Sequence, residues 1–338
     1  MRLKEAAEPR VTVLTPVYNG ERYLAECIES VLKQNYSNWE YVIVNNSSTD
    51  SSLDIASRYA SLDSRIRVIN NTKFVEVIEN HNIAFGYVTD ESQYCKVVSA
   101  DDWIEPYCLE QMVRVGEAYP SVGIVGSYQI AGGIVRWKGL PSNIEFFSGR
   151  EVVRLCLLRN LAVFGNPTSE LYRSALIREH APFFPHLRPY ADITACYKYL
   201  SKWDFGFVHK VISTERLHEN RVSSKLGKLQ IDSIVMLESF LQFGPQYLTR
   251  EEFEQERILR IEAFHRWLGG CLLKMNGIEF WKYQIGELKE LGCPIKWTAV
   301  LKGAVEEIIE EIRRPGIASR KLLETLARRL GLRKNDPR

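Results

Sequence analysis

Long apolar runs are absent from this sequence of 338 residues. No window approaches the roughly 18 uninterrupted apolar residues of a membrane-spanning helix. The opening "MRLKEAAEPR" lacks the apolar core of a secretory signal. The seven cysteines are scattered, odd in number and without close pairs, which fits reduced thiols and offers no zinc spacing. We therefore expect a cytoplasmic globular protein that does not cross a membrane.

An excess of one charge is also missing. The chain has 44 Lys and Arg against 42 Asp and Glu, a formal net charge of +2. Nothing in this balance indicates a nucleic-acid partner. The apolar share of 45% and the charged share of 25% are typical of a globular protein with one large domain or two smaller ones.

Short apolar runs alternate with helical patterns from residue 10 to about residue 130. Five of these runs predict buried strands: 11–15, 41–45, 66–70, 95–99 and 122–130. Between the first two, one helical face is formed by Leu24, Cys27, Ile28, Val31 and Leu32. Alternation at this pitch predicts an α/β fold with a mixed, mostly parallel sheet flanked by helices. A further helix is expected near 149–159 and a strand near 205–213.

Strand signals fade after about residue 228, and helical stripes replace them. One stripe contains Ile261, Phe264, Leu268, Cys271, Leu272 and Met275. A second contains Val300, Leu301, Ala304, Val305, Ile308, Ile309 and Ile312. Both predict helices with one apolar face.

The last 26 residues, 313–338, are strongly basic, and we call them the basic tail. They hold nine Lys or Arg against Glu324 and Asp336. An apolar stripe runs through them at Leu322, Leu323, Leu326, Ala327 and Leu330. A basic amphipathic helix can lie on an anionic membrane surface. It can equally dock on its own domain with a solvated basic face, and the sequence leaves both readings open.

Polar clusters follow three of the predicted strands. They are "TPVYNG" at 15–20, "NNSSTD" at 45–50 and "SADDW" at 99–103. Ligands of parallel sheets bind beyond the carboxyl ends of the strands, so these clusters predict one shared crevice. Asp101 and Asp102 could bind a divalent cation or cap the following turn. If the strand continues through them, they point to opposite sides.

Four blocks, in order, resemble the family 2 glycosyltransferases. These are the run from "VTVLTPVYNGERYL" to "NNSSTDSS", then "SADDWIEPYCLEQMV", "GNPTSELYRSALI" and "YADITACYKYLSKWDFGFVHKVISTERLHENRVS". The resemblance covers about residues 10–223. It implies a GT-A catalytic domain at 1–225 and a helical region at 226–338 for acceptor, oligomer or membrane-surface contacts. A homo-oligomer stays open.

The resemblance implies a nucleotide-sugar site made largely of strand-end residues. The implied donor nucleotide contacts are Thr15, Pro16, Tyr18, Asn19, Asn46, Asp50, Asn82, Ser99, Ala100 and Asp101. Asn45 and Asn46 stand where the family usually has two aspartates, and Ser99 replaces a third. An asparagine carbonyl can still accept the N3–H of uracil. UDP- or dTDP-sugars therefore fit, and GDP-sugars stay open.

Three further roles follow from the same resemblance. Asp101 and His218 would hold Mn²⁺ or Mg²⁺, both of which suit oxygen ligands. Asp192 matches the catalytic base, although its position also fits a helix N-cap. Asp102, Trp103 and Asn166 would contact the donor sugar or the acceptor.

The expected reaction is an inverting, metal-dependent, non-processive transfer of one sugar. The acceptor would be a hydroxyl of a glycan or a lipid-linked glycan in surface polysaccharide assembly, at the inner face of the cell membrane if the tail binds lipid. A nucleotidyltransferase of the same fold would need a glycine-rich basic loop that "TPVYNGERY" does not offer. A non-catalytic sugar-nucleotide or glycan-binding module is the alternative, because three acidic residues of the family pattern are replaced.

Overall fold

The computed structural model of the chain describes residues 8–185, 190–219 and 227–313. The chain forms two compact units, Met1–His218 and Glu219–Arg338. Apart from Arg313, the basic tail lies outside the described residues. The roles expected for the helical region therefore stay predictions.

A ten-stranded mixed sheet forms the centre of the first unit, counted over the described residues. Its strands are β1 Val11–Val17, β2 Trp39–Asn45, β3 Ile66–Asn70, β4 Tyr94–Val97, β5 Trp103–Ile104, β6 Val122–Ala131, β7 Ile134–Arg136, β8 Phe146–Phe147, β9 Glu170–Arg173 and β10 Asp204–Glu215. The main path runs β3-β2-β1-β4-β9-β6-β10-β5. The α/β class is confirmed, and every predicted strand is present.

Parallel pairing is concentrated in the first half of the sheet. β1 pairs in parallel with β2 and β4, and β2 pairs in parallel with β3. β9 enters antiparallel between β4 and β6, while β6 and β10 are again parallel. The carboxyl ends of β1, β2 and β4 therefore meet at one edge, where the three polar clusters were predicted to converge.

The short strand β5 brings two distant parts of the chain together. It pairs antiparallel with the end of β10, where Trp103 lies opposite Thr214. The residues just before β5 are consequently neighbours of those just after β10. This contact places the aspartate pair beside Arg216 and His218.

Seven helices are described in the first unit. They are α1 Leu24–Leu32, α2 Ser52–Leu62, α3 Val77–Phe85, α4 Cys108–Ala118, α5 Gly149–Arg159, α6 Ser174–Arg178 and α7 Ala191–Tyr199. The predicted face of α1 is buried at Leu24, Cys27, Ile28 and Val31. This face belongs to the hydrophobic core that also contains strand residues and the buried face of α4, and its burial stabilises the sheet.

The second unit is helical over its described residues, as the fading strand signals predicted. Its helices are α8 Ile231–Tyr247, α9 Arg250–Leu273, α10 Ile278–Glu290 and α11 Trp297–Arg313. The stripe of α9 is buried at Phe264, Leu268 and Cys271, whereas Met275 lies beyond the helix and is 59% exposed. Over the described part of the chain, no helix is both long enough and apolar enough to span a bilayer.

Candidate active site

Asp101 and His218 are in direct contact beyond β4. His218 Nε2 lies 2.9 Å from Asp101 Oδ2. Both side chains still reach solvent, with 19% of His218 and 30% of Asp101 exposed. The ring of Tyr23 stands beside the imidazole at a centroid distance of 5.0 Å. The two predicted metal ligands thus lie together, although the sequence separates them widely.

Asp102 turns away from solvent and holds the surrounding backbone. Its Oδ2 accepts a hydrogen bond from the Thr168 hydroxyl at 2.7 Å, and its Oδ1 accepts one from the Arg216 N–H at 3.1 Å. Burial, and after it the charge of Asp101, raise the pKa of Asp102 to about 8. Because both oxygens bind protein groups, the geometry favours a scaffold role over the predicted sugar contact.

Arg216 links the aspartate pair to two aromatic rings. Its Nε donates to the Asp101 carbonyl at 3.1 Å. The guanidinium lies over the rings of Tyr23 and Trp103, 4.6 and 4.7 Å from their centroids, and pairs with Glu26. Cation–π contact therefore covers one face of Trp103, and a sugar could stack only on the other.

The loop at 165–169 is joined to the same strand end. The Thr168 hydroxyl accepts a hydrogen bond from the Ser99 N–H at 3.0 Å and lies 3.1 Å from the Ser99 hydroxyl. Asn166 Oδ1 accepts the N–H of Ser169 at 3.2 Å and so caps the turn of this loop. Ser99 and Ala100 are half-buried beside it. The loop therefore forms one side of the site, and the Asn166 oxygen is hydrogen-bonded within the loop itself.

Asp192, the predicted base, lies in the first turn of α7. Burial of its carboxyl group raises the pKa of Asp192 to about 6, and its Oδ1 accepts the N–H of Ile193 at 2.9 Å. The charge of Glu215, at the end of β10, raises the pKa of both Asp192 and Asp102. No hydrogen bond joins Asp192 to the residues around Asp101 in the part of the chain that is described, so its place in a shared site stays a prediction.

Asn19 and Asp50 connect the loops that follow β1 and β2. Asn19 has a backbone φ of 50° and accepts the N–H of Thr49 at 2.8 Å. Asp50 accepts the N–H groups of Glu21 and Ser52, both at 3.0 Å. Burial alone would raise the pKa of Asp50, but hydrogen bonds from the Ser52 side chain and from these backbone N–H groups lower it overall. The two predicted residues therefore build a common rim for the crevice.

An exposed aromatic pair lies beside this rim. Tyr18 is 47% exposed and Phe74 is 49% exposed. Their ring centroids are 4.7 Å apart. Flat aromatic surfaces of this kind can stack with nucleobases. Tyr18 was predicted, whereas Phe74 was missed; its signal was a single aromatic residue in the polar run "NNTKFVE" after the third strand.

The two asparagines after β2 have different partners. Asn46 donates to the Val75 carbonyl at 2.7 Å and accepts the Val75 N–H at 3.0 Å. Asn45 donates to Asn70 Oδ1 at 2.7 Å. Its own Oδ1 is buried and has no hydrogen-bond partner among the described residues. An unmatched buried acceptor carries a cost in the free energy of folding.

Three other predicted nucleotide contacts are built into the scaffold. The Thr15 side chain is fully buried and its hydroxyl donates to the Val98 carbonyl at 2.8 Å. Pro16 is buried within β1. The amide of Asn82 both accepts from and donates to the Phe184 backbone, at 2.8 and 3.0 Å. These side chains position the loops, and the geometry does not favour direct nucleotide contact for them.

Two buried ionisable residues beneath the loop at 165–169 were not predicted. Lys96 is fully buried and donates to the carbonyls of Thr168 and Glu170. Burial lowers the pKa of Lys96 and raises that of Glu170 to about 8. The Glu170 carboxyl accepts the Tyr172 hydroxyl at 2.8 Å. A lysine inside the apolar run "YCKVV" was the available signal.

The pair Asp101 and His218 fits a divalent cation only in part. It offers one carboxylate oxygen, which both Mn²⁺ and Mg²⁺ prefer, and one imidazole nitrogen, which suits Mn²⁺ better than Mg²⁺. In the part of the chain that is described, no group of three His, Cys, Asp or Glu is arranged to hold a metal. Further oxygen ligands would have to come from a ligand such as a diphosphate, and the partial exposure of the pair leaves room for one.

Residues 12–181, half of the chain, match the family model for glycosyl transferase family 2. The chain belongs to this glycosyltransferase family. An uncharacterized glycosyltransferase of Haemophilus influenzae is 29% identical over 224 residues, 64% of this chain and 68% of that protein. The putative teichuronic acid biosynthesis glycosyltransferase TuaG of Bacillus subtilis is 42% identical over 109 residues, 32% of this chain and 42% of TuaG.

Solved structures support the fold of this glycosyltransferase. TarS 1–349 from S. aureus in complex with UDP-GlcNAc has a TM-score of 0.61 at 18% identity, covering 83% of this chain and 80% of that one. The mannosyltransferase PcManGT from Pyrobaculum calidifontis, in complex with GDP-Man and Mn²⁺, has a TM-score of 0.58 at 16% identity, covering 97% and 81%. The predicted GT-A architecture is confirmed by these neighbours.

Proposed function

We propose that this glycosyltransferase moves one sugar, with inversion, from a nucleoside diphosphate sugar to a hydroxyl of a glycan or lipid-linked acceptor. The observation that carries the proposal is the contact between Asp101 and His218, two partly exposed side chains at the carboxyl end of the sheet; Asp192 is proposed as the base. A pair suited to a cation and a carboxylate suited to take a proton are the two requirements of such a transfer.

At the donor, Asp101 and His218 would hold Mn²⁺ or Mg²⁺ against the diphosphate. The cation, when bound, would neutralise the charge that grows on the leaving diphosphate. The side chains that hold the pair in place are Arg216 and Asp102, since one binds the Asp101 carbonyl and the other binds the Arg216 N–H. This arrangement fixes the pair before any donor enters.

At the acceptor, Asp192 would take the proton of the attacking hydroxyl. With a pKa of about 6, the carboxylate is largely ionised at neutral pH and is a stronger base than an ordinary aspartate. Attack opposite the leaving diphosphate inverts the anomeric centre, through a transition state with oxocarbenium character.

For the donor base, we favour uracil or thymine. This preference follows the family resemblance, in which a residue after the second strand accepts the N3–H of uracil, and Tyr18 and Phe74 offer a surface on which the base could stack. The neighbours bind UDP-GlcNAc in one case and GDP-Man in the other. GDP is therefore included in the thermal-shift experiment described below.

For the acceptor, we propose a surface polysaccharide or its lipid-linked precursor. The support is the name of TuaG, a putative teichuronic acid biosynthesis enzyme that is 42% identical over the shared 109 residues. We expect single-sugar transfer, because the Gln-x-x-Arg-Trp signature of processive relatives is not found in the sequence.

The experiment is a thermal-shift panel of UDP, dTDP and GDP, each with and without Mn²⁺. At about 100 times the dissociation constant, the right pair should raise Tm by roughly 5–10 °C, and neither component alone should do so. Asp101→Asn should lose the Mn²⁺-dependent part of the shift. Asp90→Asn, which removes an exposed carboxylate elsewhere in the same unit, should keep it.

Release of sugar from the preferred donor then separates an enzyme from a binding module. Slow hydrolysis of that donor, abolished by Asp192→Asn with the thermal shift retained, would support the proposed roles. Equal nucleotide affinity with and without Mn²⁺ would refute the role of Asp101 and His218.

A further inference from the structure

Trp137 follows the short strand β7 in an unfavourable backbone conformation. Its φ is 64°, a left-handed value that is rare for a bulky aromatic residue. The same segment has three glycines with positive φ, Gly132, Gly133 and Gly139, for which such values carry little cost. A tryptophan in this conformation does carry a cost, and strained residues of this kind cluster at binding and active sites.

The indole ring of Trp137 is fixed at one edge to the loop at 165–169. Its Nε1–H donates to Gln129 Oε1 at 3.2 Å, and the Gln129 amide donates in turn to Asn166 Oδ1 at 3.1 Å. Gln129 is fully buried in β6. An added Cβ at Gly165 would lie 2.8 Å from the indole nitrogen, so the ring edge packs directly on the loop backbone. These contacts hold the ring in one orientation.

The remainder of the Trp137 ring is open to a partner. The residue is half-buried, and no aromatic ring or cation stacks on it in the part of the chain that is described. By contrast, Arg216 covers one face of Trp103, and Arg65 lies 3.6 Å from the ring centroid of Trp39. A half-exposed indole whose N–H is already bonded presents an apolar surface to a ligand.

The topology of the sheet places this surface at the edge where the crevice lies. β6 is antiparallel to β9, which is antiparallel to β4, so β6 and β4 end on the same side. Gln129 lies near the carboxyl end of β6, where Arg136 of β7 pairs with it. On its other side Gln129 lies opposite Ser213 of β10, which pairs with Ile104 of β5. Trp137 therefore lies at the same edge of the sheet as the aspartate pair.

The loop under the ring also reaches the helix that carries the proposed base. The Gly165 N–H donates to Glu170 Oε1 at 3.1 Å, and the Cys196 thiol lies 3.4 Å from the same oxygen. Cys196 follows Asp192 by four residues in α7, which is about one helical turn. The other end of the loop binds the aspartate pair through the Thr168 hydroxyl. The indole thus contacts the loop at the end that is linked to α7.

We propose that Trp137 is the platform on which a sugar ring of the acceptor stacks. The C–H face of a pyranose is apolar and fits a flat aromatic surface, and a ring that is held at its edge loses little conformational entropy on binding. The role in transfer rests on the proposed function, whereas the binding of a sugar to the indole does not.

The proposed surface for the nucleobase lies elsewhere. Tyr18 and Phe74 follow β1 and β3, and the strand order β3-β2-β1-β4-β9-β6 separates those strands from β6 by three and five steps. At about 4.8 Å per step, β1 and β6 are roughly 14 Å apart. A base stacked on Tyr18 and Phe74 would therefore leave Trp137 to another sugar.

The binding test is fluorine NMR of the full chain with fluorotryptophan at its seven tryptophans. The signals that disappear in Trp137→Phe and in Trp297→Phe identify those two residues. The probes are the methyl glycosides of glucose, galactose, mannose and N-acetylglucosamine. At least one of them should shift the Trp137 signal in a saturable way. The signal of Trp297, which is 47% exposed in the second unit, should not move.

Kinetics with the preferred donor and the glycoside that binds best then test the role in transfer. Trp137→Leu removes the flat ring and should raise the acceptor KM by roughly tenfold, with the donor KM within about twofold of the parent. Trp137→Phe keeps a flat ring and should raise the acceptor KM by less than about threefold. Ile134→Ala removes an apolar side chain of β7 that is 59% exposed, and should change neither KM.

Each contrary result would overturn the proposal. If none of the four glycosides moves the Trp137 signal, the ring is not a sugar platform. An equal rise in the donor KM would assign the ring to the donor. A lower kcat with an unchanged acceptor KM in both Trp137 variants would make the residue a structural one. A saturable shift in a protein that transfers no sugar would support the platform and refute the proposed function instead.

Discussion

Replacing the proposed base should stabilise the fold while it stops the reaction. Asp192→Asn keeps the size of the side chain and keeps an oxygen that can accept the Ile193 N–H, now at 2.9 Å from Oδ1. It removes only the charge. Because burial disfavours that charge, the folded protein carries a cost at neutral pH that the amide does not have.

The size and the pH dependence of this cost follow from the pKa of Asp192. The value rises from 3.8 to about 6 on folding. A rise of about 2 corresponds to roughly 3 kcal/mol, and partial exposure reduces the expected gain to about 1–3 kcal/mol. An acid whose pKa is raised in the folded state destabilises the protein above that pKa and not below the unfolded value. The gain should therefore be full above about pH 7 and vanish near pH 4.

The assay compares unfolding midpoints of the two proteins between pH 4 and pH 8. At pH 7.5, Asp192→Asn should raise Tm by roughly 2–12 °C, and sugar transfer should fall by at least about a hundredfold. In the parent enzyme, transfer should rise with pH through about pH 6. Asp90→Asn should change neither property. A variant that is no more stable at pH 7.5, or one that keeps full activity, would refute the argument.

Two further predictions concern the scaffold of the site. Thr168→Val removes the hydroxyl that binds Asp102 and Ser99, and should lower the free energy of chemical unfolding by about 1.5–3 kcal/mol. Thr168→Ser keeps the hydroxyl and should be close to the parent. An unchanged unfolding midpoint for Thr168→Val would contradict the importance of this contact. Asn46→Asp removes the donor to the Val75 carbonyl and should lower the free energy of unfolding by about 1–3 kcal/mol. Asn46→Gln keeps the amide and changes only the length of the side chain. A more stable aspartate variant would show that the amide is not needed.

The local patterns in the sequence predicted elements well. Periodic apolar positions and turn residues act over a few residues, so strands, α1 and the helix at 149–159 follow from them directly. The aspartate pair was predicted to point to opposite sides if the strand continued through it. That condition is not met, because β4 ends at Val97 and a turn follows, in which the Asp102 N–H donates to the Ser99 carbonyl at 2.9 Å. The different environments of Asp101, which reaches solvent, and Asp102, which is 3% exposed, therefore arise from this turn.

Partners set by the tertiary structure could not be predicted. Nothing near Thr15 or Asn82 in the sequence indicates that Val98 and Phe184 would receive their hydrogen bonds. A polar residue at a strand end can face a ligand or a neighbouring loop, and only the packed structure decides. The position of β9 between β4 and β6 could not be predicted either, because it depends on pairing between strands that are far apart in the sequence.

The departures from the family pattern are better explained by new internal partners than by loss of activity. An aspartate at position 46 could not donate to the Val75 carbonyl, so the amide holds a segment that a carboxylate would repel. Ser99 shares Thr168 with Asp102, and an aspartate there would add a third carboxylate beside Asp101 and Asp102. Since the pKa of Asp102 is already raised to about 8, a further charge would be unfavourable. The acidic side chains that the proposed chemistry needs are present. Asn46 and Ser99, which stand in place of acidic residues, stabilise the loops around them.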